Sequence, residues 1–109
     1  MVAFPLRFIW LVQANSDPYP GQIAFSVPRK RWKRAVDRNL LKRRMREAYR
    51  IQKAVLYESA IPEHHAVWLT CIYLADVPLD FFVIEKAMTK GLQRIAREIN
   101  KLQDQSSMS

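Results

Sequence analysis

The stretch that decides the fold is residues 34–57, RAVDRNLLKRRMREAYRIQKAVLY. If each residue rotates by about 100° around a helix axis, one side of this segment is mostly apolar, as in an amphipathic helix that packs against a core. Basic and amide side chains form a contiguous arc on the opposite side. The segment therefore predicts one helix, beginning near Arg34, with two distinct faces. The core stripe is Leu41, Met45, Ala48, Gln52, Val55 and Leu56, with Tyr49 at its edge, and the cationic stripe is Asn39, Lys42, Arg43, Arg46, Arg50 and Lys53.

Positive charge is concentrated in this helix and just before it. The 109 residues hold 18 Lys and Arg against 10 Asp and Glu, a formal net charge of +8. Residues 29–53 hold 12 of those bases and only two acids, a local net charge of +10, while the other 84 residues sum to −2. Such a field favours an anionic partner, with nucleic acid first and a membrane surface second. No run approaches the roughly 20 apolar residues of a transmembrane helix.

On either side of the helix the pattern predicts three strands and a second helix. Two runs rich in β-branched and aromatic residues precede it, separated by turn formers, and we expect them to pair antiparallel. A later run is apolar on both faces, which favours a central strand. The predicted strands are 4–13, 22–27 and 66–75, the turn is 14–21, the connecting loop is 58–65, and the second helix runs from Asp76 or Pro78 to about Leu102, with Gly91 as a weak point.

This order predicts an α+β fold, a two-layer sandwich in which both helices cover one face of a small sheet. A composition of 50% hydrophobic and 26% charged residues suits a single domain. We place that domain at residues 1–103, followed by a frayed, disordered tail at 104–109. The second face of the sheet stays uncovered and requires an explanation.

Few side chains suggest catalysis by the protein itself. His64 and His65 stand beside Glu63, which suits a metal or acid–base site or, more simply, an exposed loop. Cys71, the single cysteine, is expected to be a core thiol and favours a reducing, cytoplasmic compartment. Two glycines are too few for a phosphate-binding glycine loop, and the acids are not paired as in a nuclease. We expect no catalytic residue and no metal site.

The cationic stripe and the loop before it form the candidate binding surface. The stripe holds no acid, although like charges three and four residues apart destabilise a helix, so a binding role explains it better than a solvated face. Arginine suits bidentate phosphate contacts and stacking on exposed RNA bases. Trp32 suits stacking on a base and packing in the core equally well. The loop comprises Arg29, Lys30, Arg31, Trp32, Lys33 and Arg34.

The run Phe25-Ser26-Val27-Pro28-Arg29-Lys30, followed by residues 35–50, AVDRNLLKRRMREAYR, closely resembles the signature of the bacterial ribonuclease P protein subunit. The match combines a strand ending in Ser-Val, a basic loop and an Arg-Asn pair with Lys-Arg and Arg-Glu-Ala-aromatic at helical spacing. The later strand and helix are also similar to the family in order and length. The resemblance therefore covers nearly the whole chain.

This resemblance implies a protein that belongs to an enzyme without carrying its active site. In the family, an RNA subunit with bound Mg²⁺ hydrolyses the bond that releases the 5′ leader of precursor tRNA, and the small protein binds that RNA and the leader. The implied partners are the catalytic RNA and precursor tRNA, with no membrane and no obligate protein partner. The residues implied to contact the catalytic RNA are Arg38, Asn39, Lys42, Arg43 and Arg46.

The resemblance also implies a use for the uncovered sheet face. A cleft lined by aromatic and basic residues is expected there to hold the single-stranded leader. Its candidates are strand residues of one parity, Phe8 and Trp10 or else Arg7 and Ile9, and the sequence leaves both open. The implied fold is an α+β sandwich with a left-handed βαβ crossover, against the usual right-handed rule.

Two departures from the family pattern are visible. Leu40 stands where the motif usually has Arg, so we expect Arg44 or the loop before the helix to replace the missing cation. Family members normally carry an N-terminal helix and strand, with aromatic cleft residues, before the position of Phe4. This chain starts almost directly in the sheet, so we expect it to lack that helix.

Two other functions compete with this interpretation. A generic RNA- or DNA-binding module would bind unrelated structured RNAs with similar affinity and a steep salt dependence. An autonomous metal-dependent nuclease would cleave RNA with no RNA subunit present, and the scattered acids disfavour it.

Overall fold

The computed structural model describes residues 1–14, 21–59 and 65–107. It confirms the α+β class, with a four-stranded mixed sheet and two helices. No helix in these described ranges is long and apolar enough to cross a membrane. The elements are β1 (Val2–Ala3), β2 (Leu6–Ala14), β3 (Gly21–Ser26), α1 (Ala35–Ser59), β4 (His65–Tyr73) and α2 (Phe81–Ser107).

The sheet order is β1-β2-β4-β3, so the predicted antiparallel pairing of the two long N-terminal strands is wrong. β2 pairs antiparallel with β4, from Leu6 opposite Tyr73 to Ala14 opposite His65, and β3 pairs parallel with β4. Because β4 is apolar on both faces, a central position with a neighbour on each side suits it best. The connection β3–α1–β4 is the βαβ unit for which the family resemblance predicts a left-handed crossover.

Both helices cover the same face of the sheet, as predicted. Cys71 on β4 pairs with Phe8 on β2 and with Phe25 on β3, so these three side chains point the same way. Phe8 packs against Gly91 of α2, and the Phe25 ring meets the Tyr49 ring of α1 with centroids 5.9 Å apart. The largest side chains buried in this layer include Tyr73, Phe8, Leu6, Leu41, Met45, Ile84, Met88, Leu92 and Ile95.

Gly91, which the sequence marks as a weak point of α2, is required by this packing. A Cβ added at position 91 would lie 2.2 Å from Cε2 of Phe8, far inside contact distance. Glycine costs a helix interior about 1 kcal/mol relative to alanine. That cost is offset because the fully buried Phe8 ring can lie directly against the helix backbone.

The boundaries of α2 differ from the prediction at both ends. Asp80 caps the helix, since its Oδ1 accepts a hydrogen bond from the Val83 amide at 3.0 Å, whereas Asp76 precedes the helix. At the other end the helix runs to Ser107, because residues 101–107 contain neither Gly nor Pro. The disordered tail predicted from residue 104 is therefore helical as far as Ser107, and residues 108–109 lie outside the described residues.

The connecting segments were predicted with mixed success. α1 begins at Ala35, one residue from the predicted start, and continues to Ser59 inside the predicted loop. His65 opens β4 instead of ending that loop. Residues 15–20 of the predicted turn and residues 60–64, which include Glu63 and His64, lie outside the described residues.

Candidate nucleic-acid interface

α1 holds its cationic stripe in solvent on the side opposite its core residues. Leu41, Met45 and Ala48 are fully buried, which confirms the predicted core stripe at these positions. From Asn39 to Lys53 the exposed stripe extends about 21 Å, at about 1.5 Å per residue. Its exposed members are Asn39, Arg43, Arg46, Arg50 and Lys53, with Lys42 half-buried beside them. Their contact with RNA stays a prediction.

Within this stripe, Arg50 is paired with an acid. Its Nε and Nη2 donate to Oε2 and Oε1 of Glu47 at 3.1 and 2.6 Å. These hydrogen bonds lower the pKa of the Glu47 carboxyl and raise the pKa of the Arg50 guanidinium, and the attraction between the two charges acts in the same direction. Arg50 is thereby partly neutralised, so we expect it to contribute less to anion binding than Arg43.

A groove between α1 and the edge strand β3 extends the stripe toward the sheet. Cζ of Arg46 lies 5.9 Å from the centroid of the Phe25 ring, which also meets Tyr49 edge to face. Arg50 and Lys53 complete the walls of a space of about 500 Å³. Aromatic rings beside cations suit base stacking and phosphate contact. This groove could not be predicted from the sequence, because only the packing of α1 on β3 brings Phe25 and Tyr49 together.

The basic loop before α1 is joined by hydrogen bonds to the connection between β4 and α2. Trp32 is 8% exposed, its Nε1 donates to the Ala75 carbonyl at 3.2 Å, and its ring packs on Tyr73. Nη1 of Arg31 donates to the Leu74 carbonyl at 2.6 Å and lies 3.0 Å from Oδ1 of Asp76. Trp32 is therefore a packing residue. Besides Arg31, the loop exposes four cations, Arg29, Lys30, Lys33 and Arg34.

Two arginines of α1 donate hydrogen bonds to backbone carbonyls outside the helix. Nη1 of Arg38 donates to the carbonyls of Trp32 and Lys33 at 2.7 and 3.0 Å, which fixes the entry into the helix. Nη1 of Arg44 donates to the Leu79 carbonyl at 2.7 Å and joins α1 to the segment before α2. Arg44 is thus engaged in a contact within the protein, and the replacement of the cation missing at Leu40 by the basic loop stays a prediction.

The strand register decides which parity of β2 lines the uncovered sheet face. Phe8 is fully buried beneath the helices and Trp10 packs on the same core, so their assignment to this face is wrong. Arg7 and Ile9 have the opposite parity and are exposed, Ile9 by 52%. Of the two open alternatives, Arg7 and Ile9 are therefore the pair on the uncovered face, and their contact with a leader stays a prediction.

The uncovered face contains a shallow groove of about 310 Å³. Trp68 of β4, 40% exposed, pairs with Leu11 on β2 and with Gln22 on β3, and Ile9 extends the apolar floor. Arg7 is one row further along β2, opposite Ile72. Trp68 could not be identified from the sequence as a residue of this groove, because its strand is apolar on both faces. Its side chain is exposed because the helices cover only the other face of the sheet.

Two of the candidates for catalysis, His65 and Cys71, are described, and they lie six residues apart on β4. Cys71 is buried as predicted, and desolvation raises the pKa of its thiol to about 12. His65 is exposed at the start of β4. Within residues 1–14, 21–59 and 65–107, no group of three or more His, Cys, Asp and Glu side chains is arranged to hold a metal ion.

Comparison with known proteins finds relatives of this chain. A family model described as Ribonuclease P matches residues 3–105. The ribonuclease P protein component of Porphyromonas gingivalis is 34% identical over 100 residues, covering 90% of this chain and 72% of that protein. That of Chlorobaculum tepidum is 38% identical over 78 residues, covering 62% and 51%. The solved RNase P protein from Thermotoga maritima superposes with a TM-score of 0.57 at 26% identity, covering 80% of this chain and 76% of that one.

Proposed function

The chain belongs to the ribonuclease P protein family, and from that premise we propose that it binds the catalytic RNA subunit and the 5′ leader of precursor tRNA and assists removal of the leader. The observation that carries the proposal is the acid-free stripe on α1, which borders the Arg46–Phe25–Tyr49 groove. We assign this surface to the catalytic RNA and the uncovered sheet face to the leader.

The physical basis for RNA binding is release of counterions from phosphates. Each phosphate neutralised by a Lys or Arg releases condensed cations, so affinity is high at low salt and falls steeply as salt rises. Arg43 and Arg46 are exposed and lie one helical turn apart, which places both guanidinium groups toward the same backbone. Their forked donors suit bidentate contact with phosphate.

The basic loop before α1 adds cations to this surface, and its backbone is already ordered before RNA binds. Trp32, Arg31 and Arg38 hold its backbone through hydrogen bonds to carbonyls, so less conformational freedom is lost on binding. In this proposal Arg38 is a positioning residue that acts through the loop. The loop then presents Arg29, Lys30 and Arg34 beside the start of the stripe.

The two grooves meet at the edge strand, which supports a continuous path for the leader. Ile23 and Ala24 of β3 line both the uncovered-face groove and the α1–β3 groove. A single strand stacked on Trp68 would therefore lead from the sheet to the RNA-binding surface of α1. Apolar side chains on the floor suit the faces of bases, and Arg7 suits a phosphate.

We assign the chemistry of cleavage to the RNA subunit and its Mg²⁺. Among the described residues, no group of three or more His, Cys, Asp and Glu side chains could hold a divalent ion. The contribution of this chain is to bind, orient and retain the substrate. A role in processing precursor tRNA supports a cytoplasmic location, which is part of the proposal.

Reconstitution tests this function. With the cognate RNA subunit, at a Mg²⁺ concentration too low for the RNA alone, the protein should restore cleavage of precursor tRNA. Trp68→Ser should weaken binding of a precursor with a leader of several nucleotides by about 1–3 kcal/mol, the contribution of a stacked base. Affinity for mature tRNA should stay unchanged.

Val77→Ser is the matched control, since Val77 is also exposed but lies in the β4–α2 connection. It should behave as the unmodified protein. Absence of any stimulation by the unmodified protein contradicts the proposed function. Equal losses for precursor and mature tRNA in Trp68→Ser contradict only the assignment of the leader to the uncovered face.

A further inference from the structure

The outer face of α2 carries a second set of cations that the surface on α1 does not include. Five of the six bases outside residues 29–53 stand on this helix, and all five are exposed. At about 100° per residue they fall within an arc of about 80° and extend about 22 Å along the helix. We call this surface the α2 basic face; it consists of Lys86, Lys90, Arg94, Arg97 and Lys101.

Of the three acids of α2, Glu85 and Glu98 fall outside the arc of this face, whereas the position of Asp104 continues the face beyond Lys101. Glu85 is half-buried, and Glu98 lies about 40° beyond Arg94, with 4.0 Å between its Oε1 and Nε of Arg94. Lys86 and Lys90 are four residues apart, a spacing at which like charges destabilise a helix. The close spacing of these cations is therefore not explained by the stability of the helix.

Two exposed aromatic rings stand at the N-terminal end of the face. Phe4, 67% exposed, and Phe82, 71% exposed, line a pocket of about 320 Å³. Val83 completes its apolar part, and Lys86 and Lys90 form its basic wall. An exposed apolar patch of this kind marks an interaction site, and its cations favour an anionic ligand.

This face is on the opposite flank from the stripe on α1. α2 packs on β1 and β2, whereas α1 packs on β3 at the other edge of the sheet. The protein is 23–24 Å across in its two shorter dimensions, close to the width of one RNA duplex. A duplex that lies along the stripe of α1 therefore contacts one flank of the protein, and the α2 basic face on the other flank is left for a second RNA segment.

We propose that the α2 basic face is a second docking surface for the catalytic RNA subunit, in which the cations follow the backbone of a duplex and the Phe4–Phe82 pocket takes an unpaired base at its end. The identity of the RNA rests on the proposed function. Proteins that bind single strands interleave aromatic rings with cations. Here the rings stand at one end of a straight cationic row, which favours a duplex end over the single-stranded leader.

Salt-dependent binding tests the proposal directly. The triple variant Lys86→Gln, Lys90→Gln, Arg94→Gln should lower the slope of log affinity against log salt by about 3 for the cognate RNA subunit. All three side chains are exposed, so the melting temperature should stay close to that of the unmodified protein. The matched control is Gln93→Ala with Asn100→Ala, which changes two exposed neutral side chains on the same helix and should leave the slope unchanged.

A tethered probe locates the RNA segment independently of affinity. Cys71 is buried with its pKa raised to about 12, so a thiol-reactive iron–EDTA reagent labels only an introduced, exposed cysteine. Lys90→Cys on α2 and Ala54→Cys on α1 provide the two attachment points. Probes at these positions should cleave two different regions of the RNA subunit.

The outcomes separate the proposals. An unchanged salt slope in the triple variant, with RNA binding intact, overturns the second surface and leaves the proposed function standing. A loss seen only when precursor tRNA is present assigns the face to substrate and overturns docking of the RNA subunit. A dimer of the free protein that Phe82→Ser abolishes also overturns it. Failure of the unmodified protein to bind the RNA subunit overturns the proposed function itself.

Discussion

Replacing Arg43 and Arg46 together with alanine should weaken binding of the cognate RNA subunit and lower the slope of log affinity against log salt by about 2. Both side chains are exposed, and alanine is the best helix former, so α1 should remain intact. The contact between Arg46 and the Phe25 ring contributes about 0.5–1 kcal/mol. Filter binding over a salt series and a thermal melt of the free protein measure the two effects separately.

Arg44→Ala is the matched control, because it removes the same side chain one position away. Arg44 donates to the Leu79 carbonyl, and a hydrogen bond from a charged group contributes about 1.5–3 kcal/mol to stability. The control should therefore lower the melting temperature and change the salt slope by less than 1. The reverse pattern, with the double variant unstable and Arg44→Ala deficient in RNA binding, contradicts the division of roles on α1.

Met45→Asp should unfold the protein. Met45 is fully buried beneath α1, where a carboxylate has no partner and must either stay charged or take up a proton at high cost. An uncompensated buried charge costs about 3–5 kcal/mol, a large part of the 5–15 kcal/mol that stabilises a typical domain. Urea unfolding followed by circular dichroism should show a lost or strongly lowered midpoint, and RNA binding should be lost with the fold.

Two controls test whether burial causes that effect. Met45→Leu keeps the volume and the apolar character, so it should cost less than about 1.5 kcal/mol. Ala54→Asp places the same carboxylate on an exposed position of the same helix and should cost about 1 kcal/mol or less. A Met45→Asp protein with the urea midpoint of the unmodified protein would show that α1 does not pack through this residue.

Periodicity predicted the elements of this fold well because local spacing determines which side of each segment is apolar. The start of α1 and the burial of Leu41, Met45 and Ala48 follow directly from that spacing. Strand pairing was predicted less well. β2 and β3 are consecutive in the chain, yet each pairs with β4, which lies between them in the sheet.

The roles of individual cations were the part that the sequence could not assign. Arg38 and Arg44 stand among exposed stripe residues, but carbonyls of Trp32 and Leu79 determine what they do. Trp32 could not be assigned either, because its partner Ala75 is 43 residues away. Charge totals also concealed the α2 basic face, since acids elsewhere in the chain bring the sum outside residues 29–53 to −2.

The residues that line the uncovered sheet face could not be assigned from the sequence alone either. Alternation along β2 established two parities, but only the side taken by the helices decides between Phe8 and Ile9. Trp68 became a candidate for the same reason, since its strand is apolar on both faces. Residue patterns therefore predict the two faces of each strand, whereas the packing of the helices decides which face stays exposed to solvent.

The most direct test of the central claim is the affinity of the unmodified protein for its cognate ribonuclease P RNA, compared with a structured RNA of the same length at the same salt concentration. Docking on the catalytic RNA predicts binding at least about tenfold tighter, a difference of about 1.4 kcal/mol. Equal affinities with equal salt slopes would contradict it and indicate a generic RNA-binding protein.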